Sequence, residues 1–295
     1  MTTNIHVNPI KPSTLSRITK MKLYHIAGKT FLYAIIVFSS ITMILPFLWM
    51  LSASLKTEMN VFDFPINWIP ENPVWSNYIV IWQKIDLLLF YFNTIKLTFI
   101  ITTLQLVTCS LAAYAFAKIE FPERNLLFLG YIATMMVPFQ VVMIPQFIIM
   151  KYLNLTDTHM ALILLQAFSP FGVFLMRQFY LNIPNELSEA ARIDGLSEFG
   201  IYLKVMLPLA KPALASLGIF TFVFVWNDFL GPLIYINSNA KKTIQLGIRM
   251  FISQYSAEYS LIMAASVCSL LPVIIIFISA QKFFVEGIAM SGLKG

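Results

Sequence analysis

The segment from Asn185 to Gly195 carries several ionisable side chains between two long hydrophobic runs. A short charged helix held between two hydrophobic runs is expected to contact a partner. Leu187, Ala191 and Gly195 are spaced i, i+4, i+8 and would form one ridge on a helix, with little bulk at its last two positions. We therefore predict a short helix that a second protein approaches closely.

The residues around this segment predict how it is shaped. Pro184 suits the first turn of a helix, and Gly195 suits the position just past its end. Ser197 can cap a second short helix, which would run from Phe199 to Met206 before the chain reaches Pro208. The prediction is a helix, a sharp turn and another helix.

A wider spacing pattern includes this segment. Glu-Ala-Ala at 189–191 is followed after three residues by Gly195, after nine more by Val205, and after one more by Leu207-Pro208. This resembles the cytoplasmic-loop signature of ABC importer permeases, in which an isoleucine is usual where Val205 stands. The resemblance implies a coupling helix that docks on a separate ATP-hydrolysing subunit, through Glu189, Ala190, Ala191, Asp194, Gly195, Leu207 and Pro208. The alternative is an amphipathic surface helix in which Glu189 pairs with Arg192.

Asn227 and Asp228 form a second polar feature, because Asp228 is the only acid well inside a hydrophobic run. A charge at the centre of a bilayer costs about 2.5–3.5 kcal/mol on insertion scales, so it should face protein or water. The two residues could line a translocation path, lie near the outer interface, or pair with another helix. The sequence Trp226–Leu230 resembles the carbohydrate branch of these permeases, but Gly231-Pro232 replaces the more usual Trp-Pro.

Other chemistries lack the residues that they need. Cys109 and Cys268 both lie in hydrophobic runs, and the three histidines are scattered, so neither a disulfide framework nor a metal site is predicted. No catalytic set of Ser, His and Asp or paired carboxylates has usable spacing. Gly28-Lys29-Thr30 imitates a phosphate-binding loop, but Leu23 stands where that motif needs glycine.

The composition places the chain in a membrane. Hydrophobic residues make up 58%, charged residues 12%, and the mean hydropathy is +0.77. These charges are too few to cover a soluble globule of 295 residues. The net charge of +6 reflects topology rather than nucleic-acid binding, because most basic residues fall in predicted inner segments.

We predict an all-α membrane protein with six transmembrane helices and both ends in the cytoplasm. A basic tail (1–29) precedes a six-span domain (30–281), which contains an outer loop (56–92) and a coupling loop (177–211), and a second tail (282–295) follows. The hydrophobic runs, each near the roughly 20 residues that span a bilayer, are 30–55, 97–117, 125–150, 158–176, the run after Pro212, and 259–281. Pro138 and Pro145 are expected to bend the third span without breaking it.

The distribution of basic residues predicts the orientation. With the N-terminal tail inside, thirteen Lys and Arg residues lie in inner segments and six in outer ones. This asymmetry follows the positive-inside rule and places Glu189 in the cytoplasm without use of the motif.

The resemblance implies the type I permease fold, the cytoplasmic membrane of a bacterium or archaeon, and partners. These would be a second homologous permease, two ATP-binding subunits holding ATP and magnesium, an extracytoplasmic solute-binding protein and membrane lipid. The chain itself would need no cofactor and would hydrolyse nothing. An ion-gradient-driven secondary transporter is the alternative, but such proteins usually need several intramembrane ionisable groups or paired broken helices. A membrane-embedded hydrolase or transferase is a further alternative, and it lacks a catalytic constellation.

Overall fold

The structure is a computed structural model that describes residues 12–252 and 257–292, and these residues form helices and connecting loops without a β-strand. In chain order the α-helices are α1 (Pro12–Ser54), α2 (Asn77–Lys84), α3 (Leu87–Lys118), α4 (Arg124–Ala133), α5 (Phe139–Tyr152), α6 (His159–Gln166), α7 (Pro170–Leu181), α8 (Glu186–Ile193), α9 (Glu198–Ile201), α10 (Leu207–Leu209), α11 (Lys211–Trp226), α12 (Leu230–Tyr235), α13 (Ile244–Arg249) and α14 (Tyr259–Gly292). A π-helical turn (Tyr202–Met206) joins α9 to α10, and short 3-10 turns lie at Glu58–Asn60, Thr134–Met136 and Asn239–Lys241.

Four stretches of the described chain are long and apolar enough to cross a membrane. They are Tyr24–Ser54, Leu87–Lys118, His159–Leu181 and Tyr259–Gln281. Two bent pairs pass the same test together: Arg124–Met136 with Phe139–Tyr152 at 98°, and Glu198–Leu209 with Lys211–Trp226 at 77°. The predicted membrane-embedded, all-helical fold is confirmed, whereas the number of six spans stays a prediction.

The predicted start of the second span is wrong, whereas the bounds of the outer loop stay a prediction. Helix α3 begins at Leu87 rather than Leu97, and α2 lies inside the predicted outer loop 56–92. Lys96 lies within the first turns of α3, so the charge-free run begins only after it. A lysine can remain in an apolar helix because its long stem carries the ammonium group toward water.

A proline breaks the third predicted span, and another proline divides the fourth between two helices. Val137 is extended (φ −81°, ψ 115°), as expected before a proline, and the chain bends by 98° at Val137-Pro138. The expectation that Pro138 only bends the third span is therefore wrong, whereas Pro145 does lie inside α5. The fourth predicted run is divided between α6 and α7, because Ser169 caps a new helix that begins at Pro170.

The predicted tails do not coincide with ends of helices. Helix α1 starts at Pro12, within the basic tail 1–29, and α14 continues to Gly292, beyond the predicted boundary at 281. Residues 1–11, 253–256 and 293–295 lie outside the described residues. The domain boundaries at 29 and 281 stay predictions.

Helix α3 runs through the three buried clusters of the described residues. Its first turn packs with Trp226 and α14, its middle with α6 and α12, and its last turns with α7 and the loop that follows α7. Its buried positions include Phe90, Ile101 and Ala113. This helix therefore connects the region of the polar Asp228 site with the segment singled out by the motif.

Candidate functional site

Helix α8 lies in the segment 182–210, which joins α7 to α11 and is called here the inter-span loop. Ser188 and Ala191 face the interior of the chain, and Ala191 is only 6% exposed. The opposite side carries Glu186, Glu189, Ala190 and Ile193, which are spaced i, i+3, i+4, i+7 and all exposed. These four residues are called the exposed face of α8.

This orientation corrects the predicted ridge. Ala191 belongs to the buried cluster with Tyr202 and Met206, so it is not available to a second protein. Its small side chain permits close approach to the chain's own core rather than to a partner. Leu187 and Gly195 are exposed, whereas the small residue on the exposed face is Ala190.

Gly195 ends α8 as predicted. Its φ is +82°, and two backbone bonds close the helix: Gly195 N–H donates to Arg192 O at 3.1 Å, and Leu196 N–H donates to Ala191 O at 3.0 Å. This pair of bonds is the Schellman motif, which favours glycine at the residue with positive φ. A Cβ at this position would meet no atom of the chain within 4 Å. The glycine is needed here for its backbone conformation.

Ser197 caps the second helix, also as predicted, because its Oγ accepts a hydrogen bond from Gly200 N at 3.2 Å. The helix continues as the π-helical turn, which is closed by a bond from Leu207 N–H to Tyr202 O. Leu207 packs against the buried cluster, and Pro208 is exposed.

The chain then bends by 77° between α10 and α11. Pro208 and Pro212 stand on either side of this bend, and neither can donate a helical hydrogen bond.

Arg192 pairs with Glu198 rather than with Glu189. Its Nε and Nη2 donate to Glu198 Oε1 at 2.9 and 2.7 Å, and these bonds raise the pKa of the guanidinium above its ordinary value. Half-exposed pairs add little to stability, so the main effect is on geometry. Glu189 forms no ion pair within the described chain, which leaves its carboxylate on the exposed face.

The inter-span loop exposes apolar side chains among acids. Ile193 is 87% exposed and Phe199 61%, with Leu203 also exposed, while Glu189 and Asp194 present carboxylates nearby. An apolar tip with a polar rim is the usual composition of a protein-docking surface. In the described residues no group of His, Cys, Asp and Glu could hold a metal ion.

The polar site at Asn227 and Asp228 interrupts the fifth predicted span, as expected from the sequence. Asp228 Oδ2 accepts from Gln166 Nε2 at 2.8 Å, and Oδ1 accepts from Gly231 N at 3.0 Å in the first turn of α12. Of the three alternatives given for Asp228, the structure thus shows the pairing with another helix, which is α6. Asn227 is exposed, and its side-chain amide donates to Val223 O at 2.8 Å.

The cavity beside Asp228 is small. It has about 10 Å³ and is lined by Thr94, Leu97, Ile101, Leu162, Gln166, Val225, Asp228, Pro232 and Thr243. That volume accommodates about one water molecule and no sugar. A path for a larger solute at this position would require a second surface.

The sequence did not predict how the break between α6 and α7 is stabilised. Three side chains of α3 donate to the carbonyls that the break leaves free: Gln105 to Gln166 O at 2.7 Å, Thr108 to Ala167 O at 2.8 Å, and Cys109 to Ser169 O at 3.4 Å. Neighbouring polar side chains commonly satisfy broken helices in this way within membranes. The signal in the sequence was Ser169-Pro170, which predicts a helix start inside an apolar run.

The fold and this site define a class of protein: a multi-pass, all-helical membrane subunit that presents a short polar helix on a loop between spans. The chain belongs to the family of binding-protein-dependent transport system inner membrane components, whose model matches residues 106–289. It is therefore a membrane permease subunit that works with other components of an ABC transport system.

Relatives agree with this assignment, and a solved structure has the same fold. The chain is 35% identical over 255 residues to the arabinooligosaccharides transport system permease protein AraQ of Halalkalibacterium halodurans, covering 85% of this chain and 91% of the relative. It is 31% identical to the lactose transport system permease protein LacG of Rhizobium radiobacter, covering 86% and 93%. A crystal structure of a bacterial ABC transporter that imports the acidic polysaccharide alginate contains a chain with the same fold, with a TM-score of 0.75 at 24% identity, covering 94% of this chain and all of the other.

Proposed function

We propose that this chain is one of two permease subunits of an ATP-driven, binding-protein-dependent importer for a carbohydrate. Relatives named for the transport of arabinooligosaccharides and of lactose support the class of substrate. The one-water cavity beside Asp228 supports a path completed by a second, homologous permease. The chain forms half of this path.

The observation that carries the proposal is the exposed face of α8. Its Ile193 side chain is 87% exposed on a helix whose other side is packed in the core, so the helix is held rigidly while its apolar tip stays free. Burial of an isoleucine side chain contributes about 1.5–3 kcal/mol, enough for one anchor of an interface. We place the ATP-binding subunit over this face.

Two ATP-binding subunits hold ATP and magnesium, and this chain hydrolyses nothing itself. An extracytoplasmic solute-binding protein delivers the sugar on the other side of the membrane. Helix α1 is exposed along most of Tyr24–Ser54, which supports contact with lipid and with the second permease. The complex lies in the cytoplasmic membrane of a bacterium or archaeon, and six spans place both ends of the chain in the cytoplasm.

ATP acts here as a ligand that favours one of two conformations of the complex. A ligand shifts such an equilibrium only by its difference in affinity for the two states. When both ATP-binding subunits hold ATP, they favour one distance between the α8 helices of the two permeases. That distance in turn favours one state of the solute path.

Purification of the complete complex tests the proposal. An affinity tag on this chain is expected to recover a second permease and an ATP-hydrolysing subunit, and the sugar-loaded binding protein is expected to stimulate ATP hydrolysis by the reconstituted complex. Uptake that continues after ATP depletion and stops with a collapsed ion gradient would favour a secondary transporter instead.

A further inference from the structure

The last turns of α3 present one stripe of polar side chains to the inter-span loop. Ser110, Tyr114 and Lys118 are spaced i, i+4, i+8 and so lie on one side of the helix. Each of them bonds a different part of the chain around α8. None of the three belongs to the motif that marks the loop.

Lys118 holds the start of α8. Its Nζ donates to Ile183 O at 2.6 Å and to Asn185 Oδ1 at 2.7 Å. Asn185 precedes the first helical residue, yet its side chain does not cap the helix and binds this ammonium group instead. Bonds to a charged donor are stronger than neutral ones, which fixes the entry to α8 on α3.

Tyr114 holds the segment just past the end of α8. Its hydroxyl donates to Glu198 Oε2 at 3.0 Å, and the other oxygen of Glu198 accepts both bonds from Arg192, which is in the last turn of α8. Tyr114 is buried, so this bond connects the protein interior with the surface helix. One helical turn of α3 thus contacts the chain on both sides of α8.

Ser110 extends the connection into the membrane-spanning part. Its Oγ hydrogen-bonds with Tyr180 of α7 at 2.7 Å and accepts from Tyr202 of the π-helical turn at 3.1 Å. The Tyr114 ring packs against Tyr202 and Tyr180, with centroids 5.4 and 6.1 Å apart. The interior between α8 and the spans is therefore bonded and closely packed.

We infer that Tyr114 and Lys118 are positioning residues that transmit movement of α8 to α3. This inference rests on the proposed docking of α8 to an ATP-binding subunit. Because the residues that flank α8 on both sides are bonded to the same turn of α3, a force on the exposed face moves α3 together with α8. Helix α3 passes that movement to all three buried clusters, including the one beside Asp228.

The test uses the reconstituted complete complex with the variants Tyr114→Phe and Lys118→Met. Stimulation of ATP hydrolysis by the sugar-loaded binding protein is expected to fall by about tenfold in each, which corresponds to about 1.4 kcal/mol of coupling. The ATP-binding subunit is expected to remain bound, because the exposed face of α8 is untouched. Lys118→Arg should restore stimulation, since its guanidinium can donate to the same two oxygens.

Tyr131→Phe is the matched control. This tyrosine packs against the same buried cluster, and within the described chain its hydroxyl forms no hydrogen bond to the inter-span loop, so stimulation should be retained. Normal stimulation in both Tyr114→Phe and Lys118→Met would overturn the inference. Loss of the ATP-binding subunit from these two variants would also overturn it, because they would then merely maintain the docking surface.

A separate variant distinguishes failure of this inference from failure of the proposed function. Ile193→Asp places a charge at the apolar end of the exposed face and should release the ATP-binding subunit. If that subunit stays bound with unchanged affinity, the docking proposal itself fails. If it is released while Tyr114→Phe and Lys118→Met behave normally, docking stands and transmission through α3 is rejected.

Discussion

Gln166 donates a hydrogen bond to Asp228 across 2.8 Å, and this bond joins the end of α6 to the turn between α11 and α12. The other carboxylate oxygen accepts from Gly231 N at 3.0 Å. A Cβ on Gly231 would lie 2.5 Å from Asp228 Oδ2, so a larger residue there would displace the carboxylate from this bonded position. Asp228 therefore has a structural role in connecting two interrupted helices, whatever it contributes to the solute path.

We expect Asp228→Leu to destabilise the complex. The substitution removes the acceptor for Gly231 N and leaves the Gln166 amide without its partner, and each buried unsatisfied group costs about 1–3 kcal/mol. Thermal unfolding of the purified complex should shift to lower temperature. Asp228→Asn is the control, since its side-chain oxygen can still accept and Gln166 can reverse its amide. A stable Asp228→Leu complex that has lost only uptake would instead assign Asp228 to the solute path.

Ile193→Ala should weaken binding of the ATP-binding subunit. Loss of an interface anchor worth about 2 kcal/mol corresponds to about 30-fold in the dissociation constant. Titration of the purified permeases with the ATP-binding subunit measures this constant. Ile69→Ala serves for comparison because Ile69 is 83% exposed in the predicted outer loop, and it should leave the constant unchanged. Equal effects of the two substitutions would argue against docking at Ile193.

Gly195→Val and Gly195→Asn separate the backbone requirement from side-chain bulk. The left-handed conformation costs an ordinary L-residue about 1–2 kcal/mol, and asparagine tolerates it better than a β-branched residue does. Valine should therefore reduce sugar-stimulated ATP hydrolysis much more than asparagine. A Cβ at position 195 would contact no other atom of this chain within 4 Å, so any strain within the chain comes from the backbone conformation. If asparagine reduces the stimulated ATP hydrolysis as much as valine does, the cause is contact between the added side chain and the ATP-binding subunit.

The turn before α6 should make stability depend on pH. Asp157 accepts from Ser238 Oγ, from the backbone N–H groups of Ser238 and Asn237 at 2.9 and 3.0 Å, and from Lys241 Nζ at 3.0 Å. These bonds hold the pKa of its carboxyl well below the ordinary value. Such a group stabilises the fold above its unfolded-state pKa, and the stabilisation is lost as pH falls through the folded-state pKa.

Asp157→Asn is the variant for this measurement, because asparagine also tolerates the positive φ of 54° at this position. The melting temperature of the variant should lie below that of the wild type at neutral pH, and the difference should narrow below about pH 4. Asp63→Asn, at a residue without an ion pair in the described chain, should show no such gap. A difference in melting temperature between the wild type and Asp157→Asn that stays constant down to pH 3 would contradict this role of the Asp157 charge.

Sequence patterns predicted the membrane class and the local shape of the inter-span loop. Gly195 and Ser197 have chemical preferences so strong that a single residue determines the helix end or the cap. The last span was predicted to begin at Tyr259, which is the residue at which α14 begins. In these places local physics decides the structure.

Features that depend on tertiary contacts were not predictable. Whether Ala191 faces outward depends on how α8 rotates against α3, and the spacing of small residues is the same for either face. Whether Pro138 bends or breaks a helix depends on which neighbours satisfy the freed backbone groups. The bonds from Lys118 to Asn185 and from Tyr114 to Glu198 join residues far apart in the chain, without a periodic signal in the sequence.

The most direct test of the account combines labelling and cross-linking at Ala190→Cys, on the exposed face of α8. A membrane-impermeant thiol reagent should leave this cysteine unmodified in intact cells and modify it after permeabilisation, whereas Ile69→Cys should react in intact cells. In the purified complex, a short bifunctional reagent should join position 190 to the ATP-binding subunit. Modification of position 190 from outside intact cells, or the absence of any cross-link to an ATP-hydrolysing subunit, would contradict the claim that α8 is the docking helix.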